Sequence, residues 1–255
     1  MTEHEKLLEG KTAFVTGGSM NLGAVTAKTL AQNGAKIAIN YLDSEPEPTE
    51  VLASLQELGS PSNGIPGDLS HGSTVVSVVK KAIDLLGGRI DILVNNAGPF
   101  NADPFASLDE SEWDRILNVN LKAVYLATQG VVPGMKDAGW GRIINMSAGS
   151  KYIRNHGIYG LAKAAISFLT EELALELGPE ITVNAVAPGQ IAESGPDISA
   201  IDPTFVDRAI AHSPGGRLVT RPEVANLILW LCSPAADMIT GLTIPIDAGW
   251  RFNRF

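Results

Sequence analysis

Residues 12–35, TAFVTGGSMNLGAVTAKTLAQNGA, decide the fold that this chain is expected to adopt. The first four residues are mostly apolar and predict a short buried strand, Thr12–Val15. A glycine-rich turn, Thr16–Gly23, follows the strand. The residues after this turn have helical periodicity and predict a helix over Leu22–Asn33. A strand that passes through a glycine turn directly into a helix is typical of the opening of a βα unit.

Short apolar runs and longer helix-periodic segments continue to alternate along the chain, which is typical of a parallel sheet with helices on both faces. The predicted strands are Thr12–Val15, Lys36–Ile39, Asn63–Gly67, Ile92–Val94, Arg142–Met146, Thr182–Val186 and Thr243–Ile246. The predicted helices lie near Leu22–Asn33, Thr49–Leu58, Gly72–Leu86, Asp109–Lys136, Ile158–Leu177 and Arg221–Leu231. No linker divides the pattern, so we expect residues 1–255 to form one α/β domain with a doubly wound, seven-stranded parallel sheet.

One segment after the sixth strand interrupts this alternation. Residues 190–216 are rich in Gly, Pro, Ser and Asp, and only Pro203–Ala211 has the pattern of a short helix. Ligands of doubly wound sheets bind beyond the carboxyl ends of the strands. We therefore expect residues 190–216 to form a mobile lid over a ligand.

Composition limits the classes of partner and environment. Hydrophobic residues make up 45% of the chain and charged residues 18%, and the net charge of −9 disfavours nucleic acid and anionic membranes as partners. No apolar run reaches membrane-spanning length, and the start of the chain lacks a secretion signal. The single cysteine, Cys232, excludes an intrachain disulfide, and the four histidines show no metal-ligand spacing. We expect a soluble, cytoplasmic protein without a metal.

The glycine turn favours a particular ligand. Glycine lets the backbone approach a pyrophosphate, whose charge is stabilised by the N–H groups and dipole of the following helix. Thr16–Gly23 therefore favours a dinucleotide, although a tight turn needs glycine even without a ligand. Asp68 could accept a hydrogen bond from an adenine amino group or cap a helix. Asn95-Asn-Ala-Gly98 could admit a ribose or nicotinamide and tie strands together, or form an ordinary turn.

Tyr159 and Lys163 are separated by three residues in the helix-periodic stretch YGLAKAAISFLT, so their side chains project from one helical face. At about 4 Å and an effective dielectric constant near 20, the ammonium would favour the phenolate by about 4 kcal/mol and lower the tyrosine pKa by about three units. Tyr159 would then exchange a proton near neutral pH. By spacing alone, two unrelated surface side chains are the commoner explanation.

The order of these residues matches a known family. Over Lys11–Trp250 the chain resembles a compact, single-domain short-chain dehydrogenase/reductase of the 3-oxoacyl-reductase-like or glucose-dehydrogenase-like branch. The matching motifs are Thr16-Gly17…Gly23, Asp68, Asn95-Asn-Ala-Gly98, Asn120, Ser147, Tyr159…Lys163, Pro188-Gly189 and Ile239-Thr-Gly241. The resemblance implies a Rossmann fold, NAD(P)(H) as cofactor, a carbonyl or secondary alcohol as substrate and, commonly, a homotetramer.

The resemblance also implies site residues. Tyr159 would exchange a proton with the substrate oxygen while hydride passes to or from the nicotinamide, and Lys163 would bind the ribose and lower the tyrosine pKa. Ser147 would hydrogen-bond the substrate oxygen, and Asn120 would hold a water that links Lys163 to solvent. The residues expected to bind the cofactor are Gly17, Ser19, Asn21, Leu22, Gly23, Tyr41, Asp68, Leu69, Asn95, Ala97, Gly98, Tyr159, Lys163, Pro188, Gly189 and Ile191.

Two positions depart from the family pattern. Asn21 replaces the middle glycine of the phosphate turn, and asparagine tolerates left-handed backbone better than most residues but adds bulk. Ala148 stands where the family usually has its catalytic serine. A shortened loop would let Ser147 take that role, with Ser150 as a substitute; alternatively, Ser147 bonds only the backbone. These departures motivate a competing function, a non-catalytic dinucleotide-binding sensor or scaffold.

Cofactor preference is predicted from the end of the second strand. Tyr41 stands where a ribose-binding carboxylate is usual, and Met20 lacks the charge that binds a 2′-phosphate in many relatives. Because Asn40-Tyr41 itself resembles NADP-using relatives, the balance favours NADP(H). For the substrate, we expect apolar walls from Pro99, Phe100, Phe105, Ile191 and Ile198, and the basic segment 151–156 could attract an anion.

Overall fold

The computed structural model describes residues 6–61, 63–152 and 156–252, without the side chains of Ser150, Asp197, Ile198 and Ile201. Its strands are β1 Thr12–Val15, β2 Lys36–Tyr41, β3 Asn63–Pro66, β4 Ile92–Asn95, β5 Gly141–Met146, β6 Ile181–Pro188 and β7 Thr243–Ile246. All seven form one parallel sheet in the order β3-β2-β1-β4-β5-β6-β7. The predicted fold class is confirmed, because this is a doubly wound Rossmann sheet.

Helices cover both faces of the sheet. They are α1 Asn21–Gln32, α2 Thr49–Glu57, α3 Gly72–Leu85, α4 Glu110–Leu117, α5 Ala123–Asp137, α6 Gly157–Leu177, α7 Gly195–Ile201, α8 Phe205–Ala211 and α9 Arg221–Cys232. One core cluster joins the sheet to α1, α2 and α9, and a second joins it to α3, α5 and α6. The sheet is therefore buried on both sides.

The strand sequences explain this two-sided burial. Successive side chains of a strand point to opposite faces of the sheet. Phe14 accordingly lies in one core cluster and Val15 in the other, and neither is accessible to solvent. Strands that are buried on both faces read as continuous apolar runs rather than alternating ones.

The strand order places a cleft at the centre of the sheet. From β1 the chain moves outward to β2 and β3, and it then returns to the opposite side of β1 at β4. Val15 is thus paired with Ile39 of β2 on one side and with Val94 of β4 on the other. Loops that leave β1 and β4 diverge from this point, which is where doubly wound sheets bind ligands.

The predicted single helix Asp109–Lys136 is wrong. A π-helical turn, Asn118–Lys122, separates α4 from α5, and the N–H of Ala123 donates to the carbonyl oxygen of Asn118. The Nδ2 atom of Asn120 donates to the carbonyl oxygen of Ile116 at 3.1 Å. A side-chain amide that takes a carbonyl one turn back competes with the backbone ladder, which explains the widened turn at this position.

The lid segment is more helical than expected. Besides α8, which corresponds to the predicted Pro203–Ala211, it contains α7 and a short 3-10 turn, Ala192–Ser194. The base of the segment is fixed, because both carboxylate oxygens of Glu193 accept the N–H of Arg221 at the start of α9. The extra helix was missed because glycine and proline at its first two positions read as loop residues.

Candidate active site

Two cavities open at the carboxyl ends of the strands, and they share three wall residues, Leu22, Asn96 and Gly98. The first, of about 510 Å³, is bordered by the glycine turn and the ends of β2 and β3, and we call it the turn cavity. The second, of about 600 Å³, is bordered by Tyr159, the end of β6 and the lid, and we call it the tyrosine cavity. Together they form one cleft across the switch point of the sheet.

The glycine turn forms the floor of the turn cavity. Gly17 and Asn21 adopt left-handed backbone, with φ of 60° and 49°. Asn21 therefore adopts the left-handed backbone that asparagine was expected to tolerate. Only glycine and, less readily, asparagine or aspartate visit this region at low cost. Asn96 locks the turn from β4, because its Nδ2 atom donates at 3.0 Å to the carbonyl oxygens of both Thr16 and Gly17. Asn96 lines both cavities and was not among the predicted cofactor residues, although it lies inside the quoted Asn95–Gly98 motif.

Most of the predicted cofactor residues lie on the walls of the cleft. Those on the turn cavity are Gly17, Ser19, Asn21, Leu22, Gly23, Asp68, Leu69, Ala97 and Gly98. Those on the tyrosine cavity include Tyr159, Lys163, Pro188, Gly189 and Ile191. Asp68 does not perform the alternative role of a helix cap, because its Oδ1 atom accepts the N–H of Ser70 at 2.8 Å, whereas the N-cap of α3 is His71.

Tyr41 and Asn95 are not on either wall. Tyr41 is buried, and its side chain lies beside Gly64 of β3. The Nδ2 atom of Asn95 donates to Oδ1 of Asn145 at 2.9 Å, and Asn145 in turn donates to the hydroxyl of Thr170 on α6. The structure therefore gives Tyr41 a packing role and gives Asn95 the strand-tying role that the sequence predicted for the amides of this motif.

Tyr159 and Lys163 lie together on the first turns of α6, as their spacing predicts. The Nζ atom of Lys163 is 5.4 Å from the centre of the Tyr159 ring. Lys163 is almost fully buried, and its Nζ atom donates to the carbonyl oxygen of Met146 at 2.8 Å. Tyr159 keeps some exposed surface because it faces the cavity, and the ring of Phe100 contacts it edge-on with 5.0 Å between ring centres.

The electrostatics of this pair differ from the expectation. Burial raises the pKa of Tyr159 to about 12, and burial lowers the pKa of Lys163 to about 8. Both shifts favour the uncharged form of the side chain, because removal from water penalises the charged form of each group. The predicted lowering of the tyrosine pKa is thus not found in the protein alone, because burial sets the direction of the shift at Tyr159.

The raised pKa of Tyr159 predicts the outcome of a spectroscopic tyrosine titration. Between pH 7 and 10, the Tyr159 phenol is expected to stay protonated, so the near-ultraviolet tyrosinate absorbance of wild-type protein should equal that of a Tyr159→Phe variant. Both proteins unfolded in denaturant serve as the control, because unfolded tyrosines titrate near pH 10. Extra tyrosinate in the wild-type protein near pH 8 would show that the attraction of Lys163 wins over burial.

Asn120 lies behind Gly98, within the π-helical turn. Its Nδ2 atom donates to the carbonyl oxygens of Pro99 and Ile116, but its buried Oδ1 atom has no hydrogen-bond partner among the described residues. A methyl group at Gly98 would lie 2.3 Å from that Oδ1 atom and 3.2 Å from Nζ of Lys163. An unsatisfied buried oxygen is costly, which indicates a water or ligand group at this position.

Ser147 lines the tyrosine cavity, but its hydroxyl donates to the carbonyl oxygen of Lys163 at 2.8 Å. A serine has one hydroxyl proton, so this bond uses the proton that a substrate oxygen would need. The geometry therefore favours the backbone-bonding alternative over the expected substrate contact. Ala148 adds only a methyl group to the same wall, and the side chain of the substitute, Ser150, lies outside the described residues.

The remaining walls of the tyrosine cavity are largely apolar. Phe100 and Ile191 line it as expected, whereas Pro99 lines the turn cavity, and Phe105 packs instead near Trp113. Ile198 and Arg154 lie outside the residues whose side chains are described, and Lys151 is not on the wall. Wall residues that the sequence did not single out for a ligand are Gln190, Ser194, Asp202, Phe205 and Trp250.

Three observations test whether this cleft suits a dinucleotide. No side chain caps the first turn of α1, so its N–H groups are free of a protein carboxylate or hydroxyl. Gly23 lies so close to the turn that a methyl group there would be 2.1 Å from the carbonyl oxygen of Gly17. The Oδ1 atom of Asn120 lacks a partner at the far end of the cleft. The residues therefore fit an anionic pyrophosphate at α1 and a polar group near Lys163.

The described ranges contain neither a membrane-spanning helix nor a metal-binding cluster. There, no helix combines the length and apolarity that crossing a bilayer requires. In the same residues, His, Cys, Asp and Glu side chains do not converge in threes as a metal ion would need. Cys232 is free and buried, and burial raises the pKa of its thiol to about 12.

Comparison with known sequences gives consistent matches along the chain. The family model described as enoyl-(acyl carrier protein) reductase matches residues 18–251. A 3-oxoacyl-[acyl-carrier-protein] reductase of Staphylococcus epidermidis is 34% identical over 242 residues, which cover 94% of this chain and 98% of that protein. A (2S)-[(R)-hydroxy(phenyl)methyl]succinyl-CoA dehydrogenase subunit of Thauera aromatica is 34% identical over 248 residues, which cover 95% and 97%.

Solved structures match this chain over nearly its whole length, as the related sequences do. A short-chain dehydrogenase/reductase from Serratia marcescens superposes with a TM-score of 0.87 and 34% identity, covering 96% of this chain and 99% of that one. A gluconate 5-dehydrogenase from Burkholderia cenocepacia, in complex with NADP and tartrate, superposes with a TM-score of 0.89 and 26% identity, covering 98% of each chain.

Proposed function

Because the chain belongs to the short-chain dehydrogenase/reductase family, we propose that it transfers hydride between NAD(P)(H) and a carbonyl or secondary alcohol, with Tyr159 as proton donor and acceptor. One observation carries this proposal: Tyr159 and Lys163 lie on a cavity that adjoins the glycine-turn cavity through Leu22, Asn96 and Gly98. A nucleotide that follows the turn would end beside the phenol.

The protein contributes the proton and the electrostatic environment of the reaction, and a bound nicotinamide would supply or accept the hydride. Burial keeps the phenol of Tyr159 protonated, so it is ready to donate to a carbonyl oxygen as that oxygen gains electrons. Near neutral pH the buried ammonium of Lys163 remains charged and stabilises the phenolate that proton donation leaves behind. This arrangement favours carbonyl reduction at neutral pH.

Asn120 is proposed to serve Lys163 rather than the substrate. Its free Oδ1 atom and the Lys163 Nζ atom both lie against Gly98, and a water held there would link the ammonium to solvent. Such a link would let a proton return to the buried pair after each turnover. The catalytic set is then Tyr159, Lys163 and Asn120, with Ser147 as a positioning residue that fixes the backbone of Lys163.

A Ser147→Ala variant separates positioning from substrate contact. We expect kcat to change by less than about tenfold and the free energy of unfolding to fall by about 1 kcal/mol, because one buried hydrogen bond is lost. Ser167→Ala is the matched control, since the Ser167 hydroxyl lies 3.5 Å from the same Lys163 carbonyl oxygen but is not on the cavity wall. A fall in kcat of about 100-fold or more for Ser147→Ala alone would restore the predicted role as an oxyanion donor.

The substrate class is to be found by assay. A panel of carbonyl compounds with reduced cofactor, followed by nicotinamide absorbance, would include a 3-oxoacyl thioester and a keto sugar acid, since relatives are named for such chemistry. Turnover of any panel member supports the proposal. Tight cofactor binding without turnover across the panel would favour the competing sensor or scaffold.

We also propose a homotetramer in the cytoplasm. An apolar groove of about 470 Å³ runs between the π-helical turn, α5 and α6, and it is lined by Leu121, Tyr125 and Phe168, the last of which is 66% exposed. An apolar patch of this kind is typical of an interface. The free thiol of Cys232 suits a reducing compartment. Sedimentation equilibrium that returned the mass of one chain would contradict the tetramer.

A further inference from the structure

Beyond the end of β2, the turn cavity is bordered by the carboxylate of Glu45. Tyr41, which occupies the position where the family usually has its ribose-binding carboxylate, is not on this wall. Glu45 lines this cavity, together with Leu42 and Asn40. The N–H of Glu45 donates to the carbonyl oxygen of Leu42 at 3.0 Å, so a tight turn folds the acidic segment back over the strand end. Glu45 is only partly exposed and forms no ion pair among the residues described.

Positive charge is lacking on the same side of the cavity. Neither the β1–α1 segment, residues 12–27, nor residues 37–79, which run from β2 through β3 into α3, contain a single Lys or Arg. The turn itself presents Ser19 and the half-exposed Met20 to the cavity. These two segments enclose the place where a dinucleotide bound on α1 keeps its adenosine ribose.

One cation, Arg115, does line the turn cavity, and its charge is already paired. The Nε and Nη2 atoms of Arg115 donate to the two carboxylate oxygens of Glu112 at 2.7 and 2.9 Å. Arg115 also interacts electrostatically with Asp68, which follows β3. It is therefore not available as a dedicated partner for a further phosphate.

From this charge distribution we infer that Glu45 makes the protein select NAD(H) over NADP(H), an inference that rests on the proposed function. The carboxylate of Glu45 can accept hydrogen bonds from ribose hydroxyls, which NAD(H) retains. NADP(H) replaces one hydroxyl by a phosphate, which would lie near Glu45 without a compensating cation, and like charges in close contact oppose binding.

This conclusion reverses the NADP(H) preference drawn from Asn40-Tyr41. Tyr41 is buried beside Gly64, so the position that usually carries the discriminating carboxylate is not on the cavity wall. The Oδ1 atom of Asn40 accepts the N–H of Gly17, and the two protons of its Nδ2 atom are shared among three carbonyl oxygens at 3.0 to 3.2 Å, which commits the side chain to the backbone. The discriminating role therefore moves four residues along the chain to Glu45.

The test is the ratio of dissociation constants for NADPH and NADH, measured by isothermal titration calorimetry without substrate. Wild-type protein is expected to bind NADH at least about tenfold more tightly. Glu45→Gln should reduce that ratio by about tenfold, and Glu45→Lys should reduce it further. The matched control is Glu47→Gln, which removes an exposed carboxylate of the same segment that is not on the cavity wall, and it should leave the ratio unchanged.

Several results would overturn the inference. NADPH binding as tightly as NADH in the wild-type protein, or a ratio that Glu45→Gln leaves unchanged, would remove Glu45 as the discriminator while the proposed function stands. A selective loss of NADPH affinity in Arg115→Gln would assign a phosphate site to Arg115 instead. Failure of the wild-type protein to bind either nucleotide would overturn the proposed function as well.

Discussion

Replacing Tyr159 by phenylalanine is expected to lower kcat by about 10³-fold, because positioned proton transfer contributes about 10² to 10⁴ to such reactions. The substitution removes one oxygen and keeps the ring, so the edge-on contact with Phe100 should persist. Cofactor affinity should therefore stay within about threefold of the wild-type value, and the loss should fall on kcat. Steady-state kinetics and calorimetry on the same preparation measure both quantities.

Tyr152→Phe is the matched control for this variant. Tyr152 follows the 3-10 turn Gly149–Lys151, its ring is near Lys151 and Arg251, and it is not on the wall of the tyrosine cavity. Its loss should leave kcat within about threefold, since it touches none of the proposed reacting groups. Full activity of Tyr159→Phe would remove the acid/base assignment, whatever the substrate.

The second large effect is expected from Gly23→Ala. The added methyl group would lie 2.1 Å from the carbonyl oxygen of Gly17 and 2.6 Å from Nδ2 of Asn96. Because Asn96 is itself held by hydrogen bonds to the carbonyl oxygens of Thr16 and Gly17, the clash must move the backbone that a pyrophosphate would contact. We expect nucleotide affinity to fall by about 100-fold or more, since helix α1 can no longer approach the phosphates.

Gly134→Ala is the control for this change. Gly134 lies in α5, away from both cavities, and a methyl group there would make only an ordinary contact with Arg89 at 3.4 Å. That substitution should preserve affinity and stabilise the helix by up to about 1 kcal/mol. Unchanged nucleotide affinity in Gly23→Ala would show that the glycine turn is only a structural bend.

The fold could be predicted from the sequence because the alternation of apolar strand runs and helix-periodic segments extends along the whole chain. Each predicted strand begins and ends within two residues of the structure, since buried parallel strands read as apolar runs bounded by polar or glycine residues. The break between α4 and α5 was not predictable, because it depends on a hydrogen bond from Asn120 to one carbonyl oxygen. Asn120 was singled out through the family motif, not through helical periodicity.

Within the site, sequence identified positions better than it identified what their atoms do. Ser147 lies on the wall as expected, but the direction of its hydroxyl follows from the approach of α6 to β5. Likewise, the spacing of Tyr159 and Lys163 indicated their proximity but not how deeply they are buried, and burial sets the direction of both pKa shifts. The sequence does not single out Glu45, because the turn that carries it to the cavity has no sequence pattern of its own.

A crystal structure with bound NAD⁺ tests the central claim most directly, which is that the two cavities form a single nucleotide cleft ending at the buried Tyr159–Lys163 pair. We predict a nucleotide whose adenosine ribose lies beside Glu45, whose pyrophosphate lies over α1 and whose pyridine ring faces the phenol of Tyr159. A nucleotide bound elsewhere, or one that leaves Tyr159 and Lys163 without contact, would contradict the account.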